Sequence, residues 1–137
     1  MPKEFVFSIV DDDRSVSEGL MDLLSSMGFA AESFERADEF LRSGRVDNTS
    51  CLIADVQMPG MTGIELHDCL VKSGKAIPTI LITAFPKEAD RIRVARTGVS
   101  CYLSKPFGEH DLLACIRSAL GLPKHESPAG GTHPSGC

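Results

Sequence analysis

Residues 51–74 read CLIADVQMPGMTGIELHDCLVKSG, and this stretch decides the fold. It opens on a short, almost purely apolar run, residues 51–55, that ends in an aspartate. Such a run is what a strand covered on both faces requires. A Pro- and Gly-rich loop follows, Met58-Pro59-Gly60-Met61-Thr62-Gly63, then a helix-like segment, and then Gly74. Proline fixes φ and glycine permits turns, so the loop is a stiff mount for what precedes it.

The same unit repeats outward in both directions. Strand candidates lie at 5–10, 29–34, 51–55, 79–84 and 100–103, with helix-like segments between them. In the first helical segment Val16, Leu20, Leu23, Leu24 and Met27 form one stripe, and Ser15-x-x-Glu18 fits a capping box. In the fourth, residues 87–97, Ala89, Ile92 and Ala95 are expected to face inward beneath many charges. The last carries Leu112, Leu113, Ile116, Ala119 and Leu120. Gly28, Gly44, Gly74, Gly98 and Gly121 each follow a helical segment, where a left-handed residue closes the last turn. Strict alternation implies an α/β, doubly wound parallel sheet, (βα)5 and flavodoxin-like, with strand order 2-1-3-4-5. The folded unit is expected over residues 1–121. Residues 122–137, rich in Pro, Gly and Ser, are expected to be a disordered tail with no output domain.

Composition excludes several classes. The 137 residues are 42% hydrophobic and 24% charged, and no apolar run approaches the ~18–20 residues of a membrane-spanning helix. No signal-peptide pattern opens the chain, so a cytoplasmic location is expected. Nineteen acids against fourteen bases give a net charge of −5, a poor match for a nucleic-acid backbone. The five cysteines (51, 69, 101, 115, 137) form no C-x-x-C, and are read as free thiols in a reducing compartment. His67, His110, His125 and His133 show no ligand spacing and are assigned to no metal.

In an open α/β sheet the functional crevice lies at the carboxyl ends of the strands. Those ends carry Asp11-Asp12-Asp13, Asp55, Thr83-Ala84 and Ser104-Lys105-Pro106. Asp13, just before a helix, is suited to a cap. Asp11, Asp12 and Asp55 would repel one another unless a cation intervened, and oxygen-only donors with room for water favour Mg²⁺.

These segments resemble the receiver domains of bacterial two-component response regulators. The resemblance rests on Ile9-Val10-Asp11-Asp12-Asp13, on Ile53 to Leu66, on Ile80-Leu81-Ile82-Thr83-Ala84 and on Tyr102-Leu103-Ser104-Lys105-Pro106-Phe107. It spans residues 5 to about 120 and is strongest to receivers of the nitrogen-fixation and nitrate-regulator type. It implies a phosphorylation-controlled switch rather than a turnover enzyme. Asp55 would accept a phosphoryl group from a phosphohistidine on a sensor histidine kinase or phosphotransfer protein. Asp11, Asp12, Asp55 and the backbone carbonyl of Gln57 would hold Mg²⁺. Thr83 and Lys105 would contact phosphoryl oxygens, with a cis bond before Pro106. Thr83 and Tyr102 would relay the change to a partner face made of the fourth helix, fifth strand and fifth helix, through which a downstream protein or a second copy binds. Gln57 and Phe85 depart from common polar variants and bear on access of the hydrolytic water. Two other classes fit the sequence less well. A haloacid-dehalogenase-like phosphatase would want an acid where Gln57 stands, and a flavin- or nucleotide-binding module would want a Ser/Thr/Gly phosphate loop where the Asp triplet stands.

Overall fold

A computed structural model of the chain describes residues 5–121. The elements are β1 (Val6–Val10), α1 (Arg14–Ser26), β2 (Ala30–Phe34), α2 (Ala37–Arg42), β3 (Cys51–Asp55), α3 (Gly63–Lys72), β4 (Thr79–Thr83), α4 (Glu88–Thr97), β5 (Cys101–Ser104) and α5 (Glu109–Leu120), with a short 3-10 turn at Val46–Asn48. The five strands form one parallel sheet in the order β2-β1-β3-β4-β5, as the alternation predicts. The expected tail, 122–137, lies outside the described residues.

The central strands β3 and β4 are buried at every position, which is why their sequences, CLIAD and TILIT, are apolar except at Asp55, Thr79 and Thr83. Side chains alternate across the sheet into two cores. Leu52, Ala54 and Leu81 pack on one face with Phe40, Ile64, Leu66 and Val94. Ile53, Ile80 and Ile82 pack on the other with Leu20, Leu24, Leu112 and Ile116. The five helix-ending glycines all have positive φ, between 70° and 85°. Gly63 is needed for another reason: a Cβ there would lie 2.5 Å from the backbone oxygen of Asp55. The first turn of α3 is thus seated directly on the residue that ends β3.

Three local expectations are corrected. The Ser15-x-x-Glu18 box does not form. α1 begins at Arg14, and the Asp13 carboxylate accepts from the backbone N–H groups of Ser15 and Val16, so Asp13 is the cap. In α4 the inward residue is Val94, while Ala89, Ile92 and Ala95 are exposed, Ile92 at 48%. Small alanines and one isoleucine provide too little apolar area to set the helix phase against Val94 docking into the core.

The third concerns the cysteines. Cys101 opens β5 and Cys115 lies on the inward stripe of α5. Their Cα atoms are 5.8 Å apart, within the span a disulfide bridges, and the two sulfurs are bonded. Packing of a helix on its own preceding strand brings them together, which linear spacing does not reveal. Cys51 and Cys69 are free thiols, as expected.

Candidate functional site

The strand order makes the carboxyl ends of β1, β3, β4 and β5 neighbours, and the residues singled out from the sequence meet there. Asp11 follows β1, Asp55 ends β3, Thr83 ends β4 and Lys105 follows β5. The backbone holds each in place: Asp11 N–H donates to Phe34 O (3.0 Å), Val56 N–H to Ile82 O (2.8 Å) and Lys105 N–H to Thr83 O (2.7 Å).

Carboxylate oxygens of Asp11, Asp12 and Asp55 lie within 4.8 Å of one another. Asp11 and Asp55 are buried, at 1% and 4% exposure, and Asp12 is exposed. The Lys105 ammonium bridges the buried pair, 3.2 Å from Asp11 Oδ2 and 3.4 Å from Asp55 Oδ2. The second oxygen of each accepts a backbone N–H: Asp13 donates to Asp11 Oδ1 (2.9 Å) and Gln57 to Asp55 Oδ1 (3.3 Å).

One ammonium against three carboxylates leaves the crevice short of positive charge. Burial, reinforced by the neighbouring Asp11, pushes the Asp55 carboxyl up to about 6 against the pull of Lys105. Burial alone would depress the Lys105 ammonium, but Asp11 and Asp55 outweigh it and hold the group more basic than an ordinary lysine. Three convergent carboxylates of this chemistry fit a hard divalent cation.

Thr83 is fully buried at the rim. Its hydroxyl donates to Gln57 Oε1 at 2.6 Å and accepts from Phe85 N–H at 3.0 Å. This hydrogen bond joins the loop after β3 to the end of β4. Its only sequence signal is a carboxamide two residues past Asp55, and the partner lies 26 positions away. Gln57 offers a carboxamide where a phosphatase of the haloacid-dehalogenase kind needs a general acid. Phe85 itself is 67% exposed beside the crevice.

Thr62 caps α3 in a reciprocal box with Glu65, which anchors the loop that follows Asp55. The Lys105–Pro106 bond is cis, as the resemblance implied. Tyr102 pairs with Leu81 two residues before Thr83 pairs with Ser104, so Tyr102 and Thr83 share a sheet face. The tyrosine ring packs on the core with the Arg91 guanidinium 5.4 Å from its centroid. Its hydroxyl is buried without a hydrogen-bond partner among the described residues. His67 is buried, which depresses its basicity, and it stands apart from the aspartate cluster.

Comparison with known proteins agrees with this geometry. The response regulator receiver domain profile matches residues 7–117. The response regulator protein TmoT of Ectopseudomonas mendocina is 38% identical over 120 residues, covering 88% of this chain and 54% of TmoT. The transcriptional regulatory protein FixJ of Azorhizobium caulinodans is 32% identical over 121 residues, 88% of this chain and 57% of FixJ. Among solved structures, the response regulator StyR superposes with a TM-score of 0.80 at 40% identity, covering 87% of this chain and 60% of StyR. The chain thus spans about half the length of the curated relatives it matches. With the 2-1-3-4-5 sheet and the aspartate crevice at its strand ends, these matches place the chain in the response regulator receiver domain family of two-component signalling.

Proposed function

We propose that Asp55 is the phosphoacceptor of a two-component phosphorelay and that the chain is a switch set by phosphorylation of that residue. The observation that supports this most is the convergence of the Asp11, Asp12 and Asp55 carboxylates, the Thr83 hydroxyl and the Lys105 ammonium at adjacent strand ends. An Asp55 oxygen attacks the phosphorus of a phosphohistidine on a sensor histidine kinase or phosphotransfer protein. The P–N bond breaks and its electron pair stays on the imidazole. A carboxylate has no proton to lose, so no general base is required. Phosphoryl transfer depends on positioning and charge neutralisation, and the Lys105 ammonium and Thr83 hydroxyl supply both. Mg²⁺, held by Asp11, Asp12, Asp55 and the Gln57 carbonyl, would add the remaining positive charge.

The receiver unit is assigned to residues 1–121, supported by the match over 7–117. Among the described residues no helix is long and apolar enough to cross a membrane, in keeping with a cytoplasmic signalling role. A mostly apolar groove of about 680 Å³, lined in part by Val16, Leu20, Pro106, Phe107 and Leu112, opens beside Lys105 and suits a helix of the phosphodonor protein. The face made of α4, β5 and α5 is assigned to a downstream protein or to a second phosphorylated copy. The Ala89, Ile92 and Ala95 stripe supports this, since all three side chains are exposed on α4, Ile92 at 48%. Intact-mass spectrometry tests the reading. A small-molecule phosphodonor with Mg²⁺ should add one phosphoryl group to the wild type and none to Asp55→Asn. Undiminished labelling of the variant would overturn it.

A further inference from the structure

The disulfide lies in a functional place. Residues 101–115 form a closed ring that contains Tyr102, Lys105 and Pro106. Among the described residues β5 is an edge strand paired with β4, and α5 packs against the face that carries Cys101 and Leu103. α5 rests on β5 through apolar side chains, with Leu112 and Ile116 flanking Cys115. Apolar contact is non-directional and permits small slides, whereas a covalent tie fixes one register.

The described cysteines differ in kind. Cys51 is fully buried in β3 and burial pushes its thiol up to about 12, so it holds almost no thiolate. Cys101 is half-buried and within bonding reach of Cys115, which is 6% exposed. In a reducing compartment, disulfides that form are mainly transient and redox-sensing.

We propose that Cys101 and Cys115 are a reversible modification site, a thiol–disulfide couple whose oxidised form clasps α5 to β5 and restrains the turn carrying Lys105. The oxidant is a low-molecular-weight disulfide of the glutathione class. The Cys101 thiolate attacks one of its sulfurs, forming a mixed disulfide and releasing one small thiol. Cys115 then attacks the Cys101 sulfur and releases the second. Two protein thiols are oxidised, one small disulfide is reduced to two thiols, and the protein protons end on the released thiols. Excess small thiol reverses both steps. The receiver would then carry a second input on its signalling face beside the phosphoryl group.

The full chain is equilibrated in glutathione buffers of stepped redox ratio, acid-quenched, alkylated with N-ethylmaleimide and cut with Glu-C, which cleaves after Glu109 between the two cysteines. Mass spectrometry should find the two peptides joined in oxidising buffer and each singly alkylated in reducing buffer, with one two-electron transition. Stable glutathione adducts, or unlinked alkylated cysteines across the whole range, would overturn the proposal. Amide exchange by NMR tests the consequence. Amides in residues 102–114, Lys105 among them, should exchange ~10-fold more slowly in the oxidised form. In Cys115→Ala the two buffers should give the same exchange. Equal exchange in the two forms of the wild type, a comparison needing no variant, would equally overturn it.

Discussion

Asp55→Asn should make the protein more stable when no divalent cation is present. In the crevice Asp55 is 4% exposed, stands beside Asp11 and shares one lysine with it. These surroundings push its carboxyl from 3.8 to about 6. Because the folded pKa lies above the unfolded one, the protonated group's contribution is whole below about pH 4 and is lost as pH rises through about 6. Holding that carboxyl at about 6 rather than 3.8 leaves ionised Asp55 costing roughly 3 kcal/mol at pH 8. That figure already includes the attraction of Lys105, which keeps Asp11 as a partner in the variant. Urea denaturation with a chelator between pH 4 and 8 reads this directly. The variant should match the wild type near pH 4 and exceed it by ~2–3 kcal/mol at pH 8. Mg²⁺ at a hundredfold excess over its dissociation constant should restore ~2.7 kcal/mol to the wild type and much less to the variant. A variant less stable than wild type at pH 8 in chelator, or a difference independent of pH, would refute the reasoning.

Other substitutions probe the supports of the site. Tyr102→Phe removes a buried hydroxyl that lacks a partner among the described residues, and should raise stability by ~1 kcal/mol in the same assay; a loss would show that the hydroxyl is bonded. Gly63→Ala places a methyl group against the Asp55 backbone oxygen and should cost ~1–3 kcal/mol, with slower phosphoryl labelling because α3 must move off Asp55; an unchanged unfolding midpoint would contradict this close approach. Thr83→Ala should still allow Asp55 to be labelled but uncouple the surface. With beryllofluoride, amide shifts in the wild type should spread to 87–97 and 102–120, while in the variant they stay near Asp12, Asp55 and Lys105. Equal spreading in both would remove Thr83 from the relay.

The fold was legible because each βα unit marks its own limits. The largely apolar runs at 51–55 and 79–84 have the length and pattern of strands covered on both sides, and glycines such as Gly28 and Gly74 stop the helices where a left-handed residue is needed. The crevice was legible for a related reason. Its residues are strand-end residues, and strand order alone makes Asp11, Asp55, Thr83 and Lys105 neighbours. What sequence did not show depends on side chains meeting across space. The Thr83–Gln57 hydrogen bond joins positions 26 apart, and the Cys101–Cys115 bond needs the packing of α5 on β5. The phase of α4 is decided by where Val94 docks, since its alanines carry little weight. The Thr62–Glu65 box was present in the sequence as a T-x-x-E pattern, but Ser15-x-x-Glu18 has the same form and only one of them sits at a helix start.

On the proposed reading one side chain, Asp55, takes the phosphoryl group. Borohydride reduction converts a phosphoaspartate to homoserine, so the site can be read in the wild-type protein with no substitution. After incubation with a small-molecule phosphodonor and Mg²⁺, reduction and digestion, homoserine should be found at position 55, with Asp11, Asp12 and Asp13 unchanged. Homoserine at position 11, 12 or 13 with aspartate intact at 55 would contradict the account.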